Sequence, residues 1–320
     1  RPSDERFQSV SDLLAAVRSR QEVSRERPVN IQNLVAEVDP TSGLVIRRQD
    51  KNVPVSFTNW SFDQFSRVLG APAYYLNKLP AELAALNLNH GIQQSRERDV
   101  LALLGGDDAS GHKLRALTST RYARVWDAEV VTWADNMTTG TGWELPLAYA
   151  DGKFGANKVP SGAYASDRDV FLFMVDYSRP IEVKNERLFR GFYIWNSEVG
   201  SKSFGLEMFL FRSICGNHIV SGFQRQERFS KRHIGKLMKD FSRTSAEKML
   251  TEYVNSDTTL EATGVRKAID HVVKEDDKVA WLRGKGFAKF EAEGAVAAAI
   301  EEEGGADSLW DLTQGVTAFA

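Results

Sequence analysis

Residues 188–214 read LFRGFYIWNSEVGSKSFGLEMFLFRSI. Two runs of β-formers, 188–196 and 203–214, flank a polar, Gly-containing connection from Asn196 to Gly200, the composition of a tight turn between strands. Further β-type runs at 144–150 and 170–176 extend the pattern, so residues 143–220 are expected to hold a central sheet, largely antiparallel. Outward from it the signals change. Upstream, Ser9 with Asp12 is a capping-box-like helix start, and Val10, Leu13, Leu14 and Val17 recur at helical spacing. Runs at 29–38, 43–48 and 53–57, bounded by Pro, Gly or Asn, predict a small antiparallel meander, and helices are expected from 61 and over 81–94. A strand over 114–117 then leads into a helix carrying Trp126 and Trp133. Downstream of Lys231 the spacing is helical almost to the end. The fold expected is therefore α+β, with the sheet flanked by helices and a mainly helical C-terminal third. Three regions follow, 1–112, 113–248 and 249–320, either separate or integrated into one domain.

The chain has 320 residues, 42% hydrophobic and 26% charged, a globular composition with enough length to bury a core unaided. The single cysteine, Cys215, cannot close an internal disulfide, which fits a reducing cytoplasm. No stretch nears the roughly 18 apolar residues of a membrane span, and no charged-then-apolar leader opens the chain. Neither membrane nor cofactor is expected. The five histidines, at 90, 112, 218, 233 and 271, show no metal-ligand spacing, so no metal is expected. Gly105 to Asp108 lacks the Gly-Lys-Ser/Thr of a phosphate loop, leaving ATP hydrolysis unsupported.

The net charge of −2 hides a polarity. Residues 179–248 carry fourteen Lys/Arg against seven Asp/Glu, and residues 249–320 carry seven against fourteen. This implies an anionic partner for the basic block, or docking of the acidic block onto it within the chain or between subunits. At helical spacing Arg225, Arg228, Arg232, Lys236, Lys239 and Arg243 fall within an arc of roughly 80°, with apolar Ile234, Leu237, Met238 and Phe241 opposite, and Lys231 is a further candidate phosphate contact. Such a stripe, about 27 Å long, could follow several phosphates. It reads equally as a solvated face or one paired with the acidic block, and it shrinks to Lys231 onward if 222–229 ends a strand.

In FRGFYIWNSEVGSKS, 189–203, aromatics interleave with Arg190 and Lys202, a composition that stacks bases beside phosphates and that also builds sheet cores. Around Cys215 stand Arg212, Asn217 and His218; a nucleophilic thiol needs such neighbours, while a buried strand-end cysteine is the alternative.

NSEVG at 196–200 (Asn196, Ser197, Glu198, Gly200), followed by RSICGN at 212–217 (Arg212, Cys215, Asn217) and by Arg232 with His233, resembles the phage/plasmid-like protein family, a family of unknown function found on prophages and plasmids. LTSTRYARV, 117–125, resembles that family's S-x-R-Y segment, and SLWDLTQGVTAFA, 308–320 with Trp310, its C-terminal segment. His218 stands where members usually have Gly, and Gln314–Gly315 where they have Asn-Ala. The resemblance implies a phage or plasmid setting, in which DNA is a common partner.

The first expectation for function is accordingly a non-catalytic, single-strand-preferring nucleic-acid-binding protein of recombination or replication. Phosphates would lie on the basic stripe with Arg121, Arg190 and Lys202, and bases on Tyr122 or Tyr193. Opposite charge blocks would let copies assemble head to tail as a homo-oligomer. The alternatives are an oligomeric scaffold or inhibitor, and an enzyme whose polar centre gathers Asn196, Glu198, Arg212, Asn217 and His233.

Overall fold

The computed structural model describes residues 3–96, 99–106, 111–149, 158–212, 219–220, 229–235 and 238–319. In chain order, β1 (Arg6–Phe7) and α1 (Val10–Glu22) precede β2 (Arg25–Asn30), β3 (Leu34–Asp39), β4 (Gly43–Arg48) and β5 (Val55–Phe57). Helices α2 (Asn59–Val68), α3 (Ala73–Leu76) and α4 (Ala81–Gln94) lead to β6 (Asp99–Gly105) and β7 (His112–Ser119). After α5 (Asp127–Thr138) come β8 (Trp143–Glu144), β9 (Leu147–Tyr149), β10 (Lys158–Pro160), β11 (Ala163–Ala165), β12 (Val170–Val183) and β13 (Glu186–Asn196). The sheet region closes with β14 (Phe204–Arg212), β15 (Ile219–Val220) and β16 (Phe229–Lys231). The last third is helical: α6 (Met238–Asn255), α7 (Thr259–Asp270), α8 (Lys278–Gly284), α9 (Lys289–Glu303) and α10 (Leu309–Phe319).

The fold is α+β, as the residue pattern predicts. The central sheet has eight strands in the order β1-β11-β12-β13-β14-β15, with β8 also on β12 and β16 also on β14, and its pairs are antiparallel. The predicted 188–196 and 203–214 runs are β13 and β14. The expected meander, β3-β4-β5, is one half of a second, six-stranded sheet, β2-β6-β7-β5-β4-β3, in which only β5 and β7 run parallel. Ser9 caps α1 by accepting the Asp12 amide at 3.0 Å. Among the described residues no helix is long and apolar enough to cross a membrane.

Strand alternation gives the central sheet two different faces. One carries Leu172, Met174, Phe192, Ile194, Leu206 and Met208, and packs against Leu13 and Val17 of α1, Val130 and Ala134 of α5, and Ala246 and Leu250 of α6. On the other, register sets Phe171 opposite Trp195, Phe173 opposite Tyr193, and Phe189 opposite Phe211. Phe173 and Tyr193 stack at 5.2 Å. Glycines make room for these rings: a Cβ at Gly205 would run into the Trp195 indole, and one at Gly191 into the Phe209 ring. A separate cluster joins Val183 and Leu188 of the sheet to Val265 of α7 and Trp310 of α10. The core of α2 and α4, with Phe62, Phe65, Leu88 and Ile92, lies on the inner face of the six-stranded sheet.

Gly205→Ala is expected to lower stability by about 1–3 kcal/mol, the usual cost of overpacking. Chemical denaturation measures it, and an unchanged midpoint would show that the indole shifts aside freely.

Candidate nucleic-acid interface

Asn196 ends β13, and the chain leaves the central sheet through Ser197, Glu198 and Val199, each 1% exposed or less. This segment crosses to the outer face of the six-stranded sheet. Val199 packs with Leu103 and Ala116, and its carbonyl accepts from Trp60 Nε1 and Gln64 Nε2 of α2, both at 3.0 Å. Gly200 then turns with φ +83°, a conformation that favours glycine.

Glu198 is the centre of a buried charge cluster. Its carboxylate takes the Arg115 guanidinium, the backbone N–H of Asp127 at 3.2 Å, and Arg20 Nε at 3.4 Å, while its carbonyl accepts from Arg124. Strand register explains how Arg115 arrives: between β6 and β7, Leu103 pairs with Ala116 and Leu104 with Leu114, so Arg115 is the residue the pairing skips. A bulge of this kind turns a side chain out of its alternation. Arg115 also reaches Ser24 Oγ at 2.7 Å, and Arg124 reaches Glu26 at 2.7 Å. Asp127 opens α5 and accepts from Arg20 at 2.8 Å and from Asn196 Nδ2 at 2.7 Å. Burial, and then the neighbouring Glu198 charge, push its carboxyl up to about 7. Burial lowers the Arg115 guanidinium from its usual range despite Glu198.

Asp127 and Glu198 are each 1% exposed, so no substrate reaches this carboxylate pair. Nor do the residues of the enzymatic alternative converge. Arg212 pairs with Leu188, eight positions along β13 from Asn196, about 26 Å at the strand rise. There it is clamped by Glu186 at 2.7 and 2.8 Å and by Glu303 at 2.9 Å, with its guanidinium 5.9 Å from the Trp310 ring. Asn217 and Cys215 lie outside the described residues. Among those described, no group of three or more His, Cys, Asp or Glu could hold a metal ion.

Several residues expected to meet nucleic acid are occupied within the fold. Arg190 is 3% exposed and donates to the carbonyls of Tyr253 at 2.7 Å, Ser256 at 2.9 Å and Asp257 at 3.0 Å, with Glu261 at 3.2 Å. It thus compensates the C-terminal end of α6, where a cation is favoured. Tyr122 donates its hydroxyl to the Ser197 carbonyl at 2.8 Å and stacks on His233 at 5.1 Å. His233 is itself buried with Nδ1 3.2 Å from the Ala123 carbonyl, and burial lowers it to about 4. Tyr193 is half-buried and donates to Glu207 at 2.5 Å.

The continuous helical stripe expected over 225–243 is broken at 229–235, where the chain forms a strand and the bend that follows it. Residues 229–231 form β16, paired with β14 so that Phe229 faces Leu206 and packs on the main core, and the next described helix begins at Met238. Burial of Phe229 and strand pairing outweigh the helical spacing of the charges. Arg225, Arg228 and Lys236 lie outside the described residues, as do the side chains of Lys239 and Arg243 on α6.

What the fold gathers instead is a crown of exposed cations at one end of the central sheet: Arg121, Arg168, Lys202, Lys231 and Arg232. Contacts link them in space. Arg168 gives its carbonyl to the hydroxyls of Ser197 at 2.6 Å and Ser201 at 2.9 Å, and its guanidinium lies 5.7 Å from the Trp60 ring. Lys202 lies 4.6 Å over Phe171 and 3.6 Å from Asp169. Lys231 sits on β16 opposite Phe204, beside the Ser203–Ser230 hydroxyl contact of 2.8 Å. The Gly235 amide donates to the Arg121 carbonyl at 3.3 Å, which ties the turn after Arg232 to the segment before Tyr122. Arg121 and Arg232 have no carboxylate partner among the described residues. Sequence reasoning missed Arg168, which stands in a short polar turn with no periodicity around it.

No protein-family model, curated protein or solved structure matches the chain.

Asp127 and His233 should tilt the pH dependence of stability in opposite directions. Asp127 binds its proton more tightly folded than unfolded, so its contribution falls as pH rises from about 4 to about 7. His233 binds its proton less tightly folded, so its contribution is lost as pH falls from about 6.5 to about 4. Denaturation series over pH 4–6.5 should show stability rising more steeply with pH in Asp127→Asn and less steeply in His233→Asn. Parallel profiles for wild type and both variants would contradict these protonation states.

Proposed function

We propose that this chain is a non-catalytic nucleic-acid-binding protein that holds a single strand along the crown at the β13–β14 end of the central sheet. The observation that carries this reading is the gathering of Arg121, Arg168, Lys202, Lys231 and Arg232, exposed and from four separate stretches of sequence, beside the half-buried rings of Phe171 and Trp60. Flexible cations next to ring faces suit phosphates flanked by stacked bases, a combination tolerant of sequence. Double-stranded DNA would ask for a helix or ribbon that enters a groove, whereas these cations stand on turns and on a strand end. The resemblance of the Asn196–Gly200, Arg212–Asn217 and Leu117–Val125 segments to a family of prophages and plasmids agrees with such a partner, and recombination or replication is the setting it favours.

Two expectations are revised in this proposal. Arg190 is withdrawn from phosphate contact because its guanidinium is spent on α6 and Glu261. Head-to-tail assembly driven by opposite charge blocks loses part of its basis, since the acidic block already meets the basic one inside the chain through Glu261 with Arg190, Asp270 with Lys184 and Glu303 with Arg212.

Fluorescence anisotropy of a labelled single-stranded oligonucleotide tests the reading. The wild type should bind with an affinity that falls steeply with salt, by about 0.7 in log affinity per log salt for each phosphate neutralised. Changing Arg121, Arg168, Lys202 and Arg232 to Ala should weaken binding and flatten that slope by about two to three units, since each lost phosphate contact removes about 0.7. Absence of salt-dependent binding, or a variant that binds as well as the wild type, would overturn it.

A further inference from the structure

The six-stranded sheet extends beyond the helices laid on its inner face. Toward its β2, β4 and β7 ends that face forms an apolar hollow of about 290 Å³, and no residue of α2, α3 or α4 lines it among the described residues. Its walls are Val29, Leu34, Ile46, Ala102, Leu104 and Leu114. Register accounts for them: Ala102 stands opposite Arg27, Leu104 opposite Leu114, and Val55 opposite both Ile46 and His112, and residues opposite one another share a face. Val53, which also lines it, is 44% exposed.

The rim is basic. Arg27, Arg47, Arg48 and Lys51 line the hollow, and no Asp or Glu does so among the described residues, although Arg47 is paired with Glu37 at 2.7 Å. Arg48 is paired with Asp50 at 2.6 Å, outside the lining, whereas Arg27 and Lys51 are exposed and without a carboxylate partner among the described residues. Apolar walls below a few convergent polar groups are the usual make-up of a small-molecule site, and the volume lies at the small end of that class. At roughly 30 Å³ for a group the size of a water, the hollow accommodates about ten such groups.

We propose that this hollow is a binding site for a small amphipathic carboxylate, with the hydrocarbon body against Leu34, Ile46 and Leu114 and the carboxylate at Arg27 and Lys51. The site is independent of the cation crown, which lies on the other sheet. The occupant follows from complementarity: the walls offer no hydrogen-bonding side chain deep in the hollow, so the body of the ligand is hydrocarbon, and the rim supplies charge of one sign, so its head is an anion.

Isothermal titration calorimetry of the whole chain with octanoate, 1-octanol and octylammonium separates the two contributions. Octanoate is expected to bind at one site, at least about tenfold more tightly than octanol, a factor equal to about 1.4 kcal/mol, and octylammonium most weakly. Exchanging the exposed rim cations, Arg27→Glu with Lys51→Glu, should reverse the order of octanoate and octylammonium and leave octanol unchanged. Ala102→Leu, which fills the hollow from its floor, should weaken all three. No heat with octanoate, equal affinity for the two charged probes, or a rim variant that binds octanoate as before would each overturn the proposal.

Discussion

The buried carboxylate of Glu198 is the centre of the charge cluster that lies between the two sheets. Removing a charge of this kind from water costs several kcal/mol, and the cost is offset only when partners surround it with good geometry. Here the carboxylate's partners come from α1, the Arg115 bulge and the first amide of α5, while Arg124, in the segment before α5, takes the Glu198 carbonyl. Each fixes an element that otherwise has its own apolar core to belong to. The cluster thus ties elements of both sheets to the turn after β13, to which Arg168 is also bonded through Ser197 and Ser201.

The elements that carry local signals were legible. The runs that became β13 and β14, the Ser9 cap of α1 and the helical last third all follow from residue periodicity within about ten positions. The helical stripe was not, because spacing of charges says nothing about which apolar residue is buried, and Phe229 takes its place in the core as a strand residue. Arg190, Tyr122 and Arg212 show the same limit at the level of side chains. Their types suit phosphate or base contacts, yet each has a partner 63 to 91 residues away that is invisible to any local reading. The candidate site was half visible: Arg121, Lys202, Lys231 and Arg232 were read as basic residues, while Arg168 and the meeting of all five at one end of the sheet required the fold.

The charge polarity of the chain is resolved in a similar way. Its basic and acidic blocks meet where β13 and β14 contact α7 and α9, and each of Arg190 and Arg212 is buried with a Glu from a C-terminal helix. Both guanidiniums also lie near aromatic rings, Tyr253 at 5.0 Å and Trp310 at 5.9 Å, which adds an attraction suited to partly desolvated cations. The exposed cations of the crown stand at the opposite end of the same strands, around the β13–β14 turn. One sheet thus carries buried ion pairs at one end and exposed basic side chains at the other.

The long reach of Glu198 has a bearing on how the chain is made. Arg115, Arg124 and the start of α5 precede it by 71 to 83 residues, and contacts of such separation form late. During synthesis the six-stranded sheet can assemble as soon as β7 has emerged, but with the bulged Arg115 still lacking its counter-charge and the Leu103–Ala116 surface still wet. Until residue 198 leaves the ribosome, that surface is an unfinished one, and a chaperone has a defined interval in which to cover it.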